Sequence, residues 1–303
     1  MYFFFCLIVK IFKCRNDEHY ISGGISMWEQ LLIQTERGIF EVFKKGNGEP
    51  LSVTHLYSEY NNNGNIFANS FTERFTVYLI NLTGCGNSTK GEGDDQYSMS
   101  SSIKDLEAIR QALEYETWSF AGHSTGGMLG LQYAIQSPNS LRRIIVGGLS
   151  ASKDYMNDPK SIYCKENPHN GRLKEIFSVL ANPQSTIEER RAVNKEWTMM
   201  SLYNQLAYDE MINRPNSGKT VSARLNYYSY TELPHYDLRP ALHEIHVPTY
   251  LYAGLHDAQC PFEFGVEAAN LIPGAIFKEF TYSNHFPFIE EEEAFLQFVD
   301  SIV

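Results

Sequence analysis

From residue 30 onward, apolar and polar positions alternate between two rhythms. Short runs rich in Val, Ile, Leu, Phe and Tyr, bounded by polar or glycine-rich loops, read as strands; apolar residues three and four positions apart read as helices. LLIQTERGIFEVFKKGNGEP (31–50) predicts a β-hairpin around Arg37-Gly38. LSVTHLY (51–57) and FTVYLINL (75–82) predict buried strands. Met99, Ile103, Leu106, Ile109 and Leu113 mark one face of an amphipathic helix. WSFAG (118–122) predicts a strand, the segment after Ser124 a helix ending near Pro138, and LRRIIVGG (141–148) another strand. Regular strand–helix alternation implies a mostly parallel central sheet with right-handed crossovers and helices on its faces.

The rhythm stops across residues 151–240, which are richer in charge and tyrosine and read as helices and loops. It resumes with VPTYLYAG (247–254), a helix from Phe262 to Leu271, the strand AIFKEF (275–280), and a last helix whose inner face carries Phe295, Phe298, Val299 and Ile302. The glutamates at 290–293 fall in the first turn of that helix and are expected to be a solvated helix start. The expected organisation is an α/β core of residues 27–150 and 241–303, with a mainly helical lid, 151–240, inserted after the sixth strand. Residues 1–26 are expected to lie outside the fold. Their apolar run is too short to span a bilayer, basic residues follow it, and no small-residue cleavage site comes after.

Composition narrows the partners. A formal net charge of −11 argues against a phosphate-binding surface, so neither nucleic acid nor an anionic membrane is expected. The five cysteines are scattered without a CxxC pair, which suggests neither a disulfide framework nor a metal site and fits a cytoplasmic location.

The sharpest chemistry lies in Gly122-His123-Ser124-Thr125-Gly126, at a strand-to-helix junction. Such a turn strains the serine backbone and leaves no room for side chains two positions either side. It also holds the hydroxyl above the sheet edge at the positive end of a helix. A serine hydroxyl is a weak nucleophile, so a base and an acid that fixes the base's tautomer must follow. Asp257, just past one strand, and His285, just past the next, have that order; Asp154 is the rival acid. Of the nine histidines, only His285 has both position and context, since His123 sits inside the turn, His243 and His246 flank the start of a strand, and His256 precedes the acid. The backbone amides of Thr125 and Tyr57 are the expected oxyanion donors. No cofactor and no metal is implied. Asn61-Asn62-Asn63-Gly64-Asn65 reads as a turn or a pocket rim.

Together these residues resemble the α/β-hydrolase superfamily across residues 30–303. NLTGCGNS (81–88) looks like that superfamily's loop Asp-x-Arg-Gly-x-Gly-x-Ser, with Asn81 and Thr83 replacing the charged pair, and GHSTGG resembles the turn of its esterases, lactonases and aminopeptidases. The layout is most similar to the proline iminopeptidase branch. That resemblance implies a serine hydrolase acting on a small-molecule ester, lactone or amide, and the aromatic residues of the lid suit a substrate with an apolar or aromatic group. Two departures stand out. His55-Leu56-Tyr57-Ser58-Glu59 replaces His-Gly-Gly-Pro-Gly, and Met200 and Ser201 replace the branch's second lid tryptophan and its amine-binding glutamate. Glu196 and Asp209 are the alternative carboxylates for an amine, and a non-catalytic ligand-binding protein of the same fold is the remaining alternative. Tyr155, Tyr163, Trp197, Tyr203, Tyr208, Tyr227, Tyr228 and Tyr230 make the lid aromatic.

Overall fold

A strand with apolar side chains on both faces needs cover on both faces, and the chain folds to provide it. The computed structural model describes residues 11–13 and 27–303. In chain order its strands are β1 (Ile11–Lys13), β2 (Glu29–Thr35), β3 (Gly38–Lys45), β4 (Glu49–Val53), β5 (Ser58–Glu59), β6 (Phe75–Ile80), β7 (Trp118–His123), β8 (Leu141–Gly147), β9 (Lys219–Thr220), β10 (Thr249–Gly254) and β11 (Ile276–Phe280). The helices are α1 (Ile66–Asn69), α2 (Met99–Ala112), α3 (Thr125–Gln136), α4 (Asn170–Ala181), α5 (Ile187–Met200), α6 (Ala207–Asn213), α7 (Ser222–Tyr227), α8 (Phe262–Leu271), α9 (Pro287–Glu290) and α10 (Glu292–Asp300).

One nine-stranded sheet has the order β1-β2-β3-β6-β4-β7-β8-β10-β11. Strands β6, β4, β7, β8, β10 and β11 run parallel, while β1, β2 and β3 join antiparallel. Successive residues serve opposite faces, as a pleated strand requires. Phe120 packs with Ile103, Leu106 and Ile109 of α2 and Met128 of α3. Its neighbour Ala121 belongs to the opposite layer with Phe67 of α1 and Phe295, Phe298 and Val299 of α10. The α2 helix starts where Ser98 accepts the Ser101 amide at 3.1 Å.

The expectation for residues 1–26 fails at Ile11–Lys13, which pairs antiparallel with Leu31, Leu32 and Ile33 of β2. Without it β2 would be the sheet edge, with a row of unpaired backbone groups. The remainder of 1–26 lies outside the described residues.

Strand β4 has β6 on one side and β7 on the other, so the winding of the chain reverses there. In open α/β sheets this is where ligands bind, beyond the carboxyl ends of the strands. The loops after β4 and β7 therefore emerge side by side. Between β8 and β10 the chain leaves the sheet and forms α4 to α7 and several turns of 3-10 helix. This insertion is tied back to the core by β9, which pairs antiparallel with β5 in the loop after β4. No apolar pattern in Lys219-Thr220 or Ser58-Glu59 announces that pairing.

Candidate active site

Ser124 stands between β7 and α3 with φ 57° and ψ −125°, a conformation that costs a non-glycine residue strain. The glycines around it are a steric necessity. A Cβ on Gly122 would lie 2.2 Å from the Gly126 carbonyl oxygen, and one on Gly126 would lie 2.5 Å from the Thr54 carbonyl oxygen. The turn is held by Ser124 N–H donating to Gly147 O at 2.9 Å. The hydroxyl consequently sits at the start of α3, where unpaired amides and the helix dipole favour negative charge.

His285 and Asp257 meet as the sequence spacing anticipates. His285 Nδ1 lies 2.8 Å from Asp257 Oδ2, with both side chains almost wholly buried. The other aspartate oxygen accepts the amides of Gln259 at 2.8 Å and Cys260 at 2.9 Å. That carboxylate is fixed by three bonds, one of them to His285 Nδ1. His285 N–H donates to Ser201 O at 3.1 Å, so the insertion also positions the histidine backbone. Ser124 and His285 line one cavity. Among the described residues the Ser124 hydroxyl has no hydrogen-bond partner. Asp154 goes elsewhere: its half-exposed carboxylate pairs with Arg239 at 2.8 Å.

The loop after β4 is held against the same helix start. His55 Nε2 lies 2.9 Å from Thr125 Oγ1 and Nδ1 lies 3.0 Å from Ser58 Oγ. The Tyr57 amide has only a long contact to His55 Nδ1, at 3.5 Å, and is close to unpaired. Asn81 and Thr83, which replace a charged pair, find charges in space. The Glu41 carboxylate accepts Asn81 Nδ2 at 2.7 Å, and Arg224 of α7 donates to Thr83 O at 2.8 Å.

The cavity holds about 380 Å³, and among the described residues no Asp, Glu, Lys or Arg lines it. Phe67, Phe286, Phe288 and Ile289 supply an apolar wall from the core, while Tyr163, Asn194, Trp197 and Ser201 supply a mixed wall from the insertion. Trp197 Nε1 is buried there without a partner. Glu196 is half-buried and forked onto Arg172 at 2.7 and 2.8 Å, and Asp209 is exposed, so neither offers a carboxylate to the cavity. Of the aromatic residues in the insertion, only Tyr163 and Trp197 line the cavity; Tyr155 and Tyr228 are core, and Tyr230 is 81% exposed. The asparagine run is both turn and rim, since Gly64 N donates to Asn61 O at 3.0 Å while Asn65 caps α1 and lines the cavity.

Sequence reasoning missed two residues. Glu290 is not a solvated helix start. One of its oxygens accepts the amides of Tyr203 at 2.6 Å and Asn204 at 2.8 Å, and the other accepts Asn284 N at 2.7 Å, next to His285. Burial raises its carboxyl above the usual range, and the three amides oppose that rise. Arg224 is fully buried. Neither belongs to a recognisable local pattern, because both act between segments far apart in the chain.

The neighbouring histidines are held neutral. Burial, with His285 and Arg224 adding to it, lowers His55 to about 3, and burial with His285 and His55 pushes His123 well below the ordinary value. In the unfolded chain both take a proton near pH 6.5. Stability tied to them is therefore complete above about pH 6.5. As pH falls the unfolded state binds protons first, and stability is lost by up to about 1.4 kcal/mol per pH unit for each histidine. Urea midpoints measured from pH 7.5 to 4.5 should fall, and His55→Asn should flatten that slope. Equal slopes in wild type and His55→Asn would show that His55 is not held neutral.

The fold defines the class. A known family described as the alpha/beta hydrolase fold matches residues 48–292, and the chain belongs to it. A solved structure of an alpha/beta fold family hydrolase from Bacillus anthracis str. Sterne is 51% identical, with a TM-score of 0.90 over 92% of this chain and 100% of that one. A proline iminopeptidase of Clostridioides difficile (strain 630) is 26% identical over 232 residues, covering 73% of this chain and 78% of that protein. Another, from Chitinophaga pinensis, is 31% identical over 150 residues, which is 45% of this chain and 48%, about half, of that protein. The chain is thus a hydrolase with relatives in the proline iminopeptidase branch. Among the described residues no helix is long and apolar enough to cross a membrane, and no group of His, Cys, Asp and Glu could hold a metal ion.

Proposed function

We propose that the protein is a serine hydrolase that cleaves small uncharged esters, lactones or amides through an acyl-enzyme. Ser124 attacks the carbonyl carbon while His285 Nε2 takes its proton, and Asp257 holds His285 in the tautomer that leaves Nε2 free. The Thr125 and Tyr57 amides receive the developing oxyanion. The proton then passes from His285 to the leaving group. Water, activated by the same imidazole, releases the acid and restores Ser124. The insertion acts as a lid, and an apolar or aromatic group of the substrate rests on Phe67, Phe286 and Phe288.

The observation that carries this reading is the 2.8 Å His285–Asp257 pair in the cavity that Ser124 lines. The uncharged lining supports a neutral substrate. Proline iminopeptidase activity is the second reading, favoured by the names of the relatives. It needs a carboxylate for the substrate's ammonium, since burying that charge unpaired costs several kcal/mol.

The two readings part on one comparison. With kcat/KM measured on the same preparation, p-nitrophenyl butyrate should exceed proline β-naphthylamide by at least tenfold. A tenfold preference for the proline amide, erased by Glu196→Gln or Asp209→Asn, would make the protein an aminopeptidase with a relocated amine anchor.

A further inference from the structure

Helix α7 of the insertion grips the loop after β4 at the residue whose amide matters most. Arg224 Nε donates to Leu56 O, and Val221 N–H donates to Tyr57 O at 2.8 Å. The carbonyl before Tyr57 N and the carbonyl after it are both taken by one turn of the insertion. The rest of the guanidinium is anchored by Thr83 O at 2.8 Å and Ser102 Oγ at 2.6 Å, with the Tyr97 ring 5.6 Å away. Arg224 makes no direct ion pair among the described residues, although Asp105 and Glu232 lie near enough to favour its charge. A buried cation held by neutral acceptors is costly, and hydrophobic packing would fill the space at less cost.

A planar trans peptide points its C=O and N–H in opposite directions. No cis bond occurs among the described residues, so fixing Leu56 C=O on Arg224 fixes the direction of Tyr57 N–H. Tyr57 lines the cavity, and its N–H has only the 3.5 Å contact to His55. We propose that Arg224 is a positioning residue for the reaction: it clamps the Leu56–Tyr57 peptide so that the Tyr57 amide is aimed at the oxyanion. This rests on the reading of Ser124 as nucleophile and Tyr57 N–H as oxyanion donor. The cation also lies behind the polarised amide and strengthens it as a donor. A lysine keeps the charge but cannot reproduce the fork that reaches Leu56 O, Thr83 O and Ser102 Oγ together.

The test compares wild type, Ser124→Ala, Arg224→Lys and Val221→Pro, the last removing the amide that holds Tyr57 O. Turnover of p-nitrophenyl butyrate is measured with two inhibitors: butylboronic acid, whose serine adduct places an oxygen in the oxyanion site, and p-nitrophenol, which has no acyl oxygen. For Arg224→Lys, kcat should fall about 10- to 100-fold with KM within threefold. Its butylboronic acid Ki should weaken by the same factor and its p-nitrophenol Ki should stay within twofold. Val221→Pro should show the same split with a smaller loss, and it carries the comparison alone if Arg224→Lys does not fold. Unchanged kcat and boronate affinity, or equal weakening of both inhibitors, would overturn the role of Arg224. Wild-type turnover that survives Ser124→Ala would instead overturn the underlying serine mechanism, and the Arg224 role with it.

Discussion

Ser124→Ala should lower p-nitrophenyl butyrate turnover by about 10⁴- to 10⁶-fold with the fold intact, and His285→Ala should lose about as much. Nucleophile and base act as one unit, so removing either removes nearly all that both supply. What remains comes from binding and the oxyanion donors. The substitution at 124 should also relieve backbone strain only slightly, because alanine is no better suited to φ 57° than serine. Thermal unfolding should therefore shift little, which separates a chemical loss from a structural one. A fluorophosphonate probe should label wild type and fail to label Ser124→Ala. Near-normal turnover by either variant, in a folded protein, would remove the serine–histidine assignment.

Asp257→Asn should reduce kcat by about 10⁴-fold. The asparagine can keep the geometry, but it places an amide where His285 Nδ1–H needs an acceptor and so favours the wrong tautomer. The two amides of Gln259 and Cys260 that converge on the aspartate make this a site built for a carboxylate. Asp154→Asn is the matched control. It weakens an exposed pair with Arg239, worth at most about 1 kcal/mol, and should leave kcat/KM within twofold. If the outcomes exchanged places, the acid would belong to the strand before the insertion.

The core elements, the strained turn at Ser124 and the meeting of Asp257 with His285 were legible in the sequence for a common reason. Each is encoded locally: the strands by continuous apolar runs, α2 by its spaced face, Ser124 by flanking glycines that sterics require, and Asp257 and His285 by their places just past successive strands. What stayed hidden depends on distant partners. Arg224 meets Leu56 across 168 positions, and Glu290 meets Asn204 across 86, with nothing nearby to mark either. The pairing of β5 with β9 joins polar residues on both sides, so periodicity is silent about it. The aromatic content of the insertion was visible, but which rings face the cavity was not. Much of the apolar wall comes instead from Phe67, Phe286 and Phe288 of the core, residues that in sequence look like ordinary packing.

The carboxylate of Glu290 serves two masters, the backbone of the insertion at 203 and 204 and the backbone at 284 beside His285. Opening the insertion at that point strips a partly buried anion of two of its three amides, and the remaining amide is the one that steadies the histidine loop. Any closing of the insertion and the placement of His285 would therefore be thermodynamically linked, and linkage is reciprocal. Any ligand that favours the shut insertion tightens the histidine loop by the same free energy, and any perturbation that loosens the loop makes the insertion easier to open.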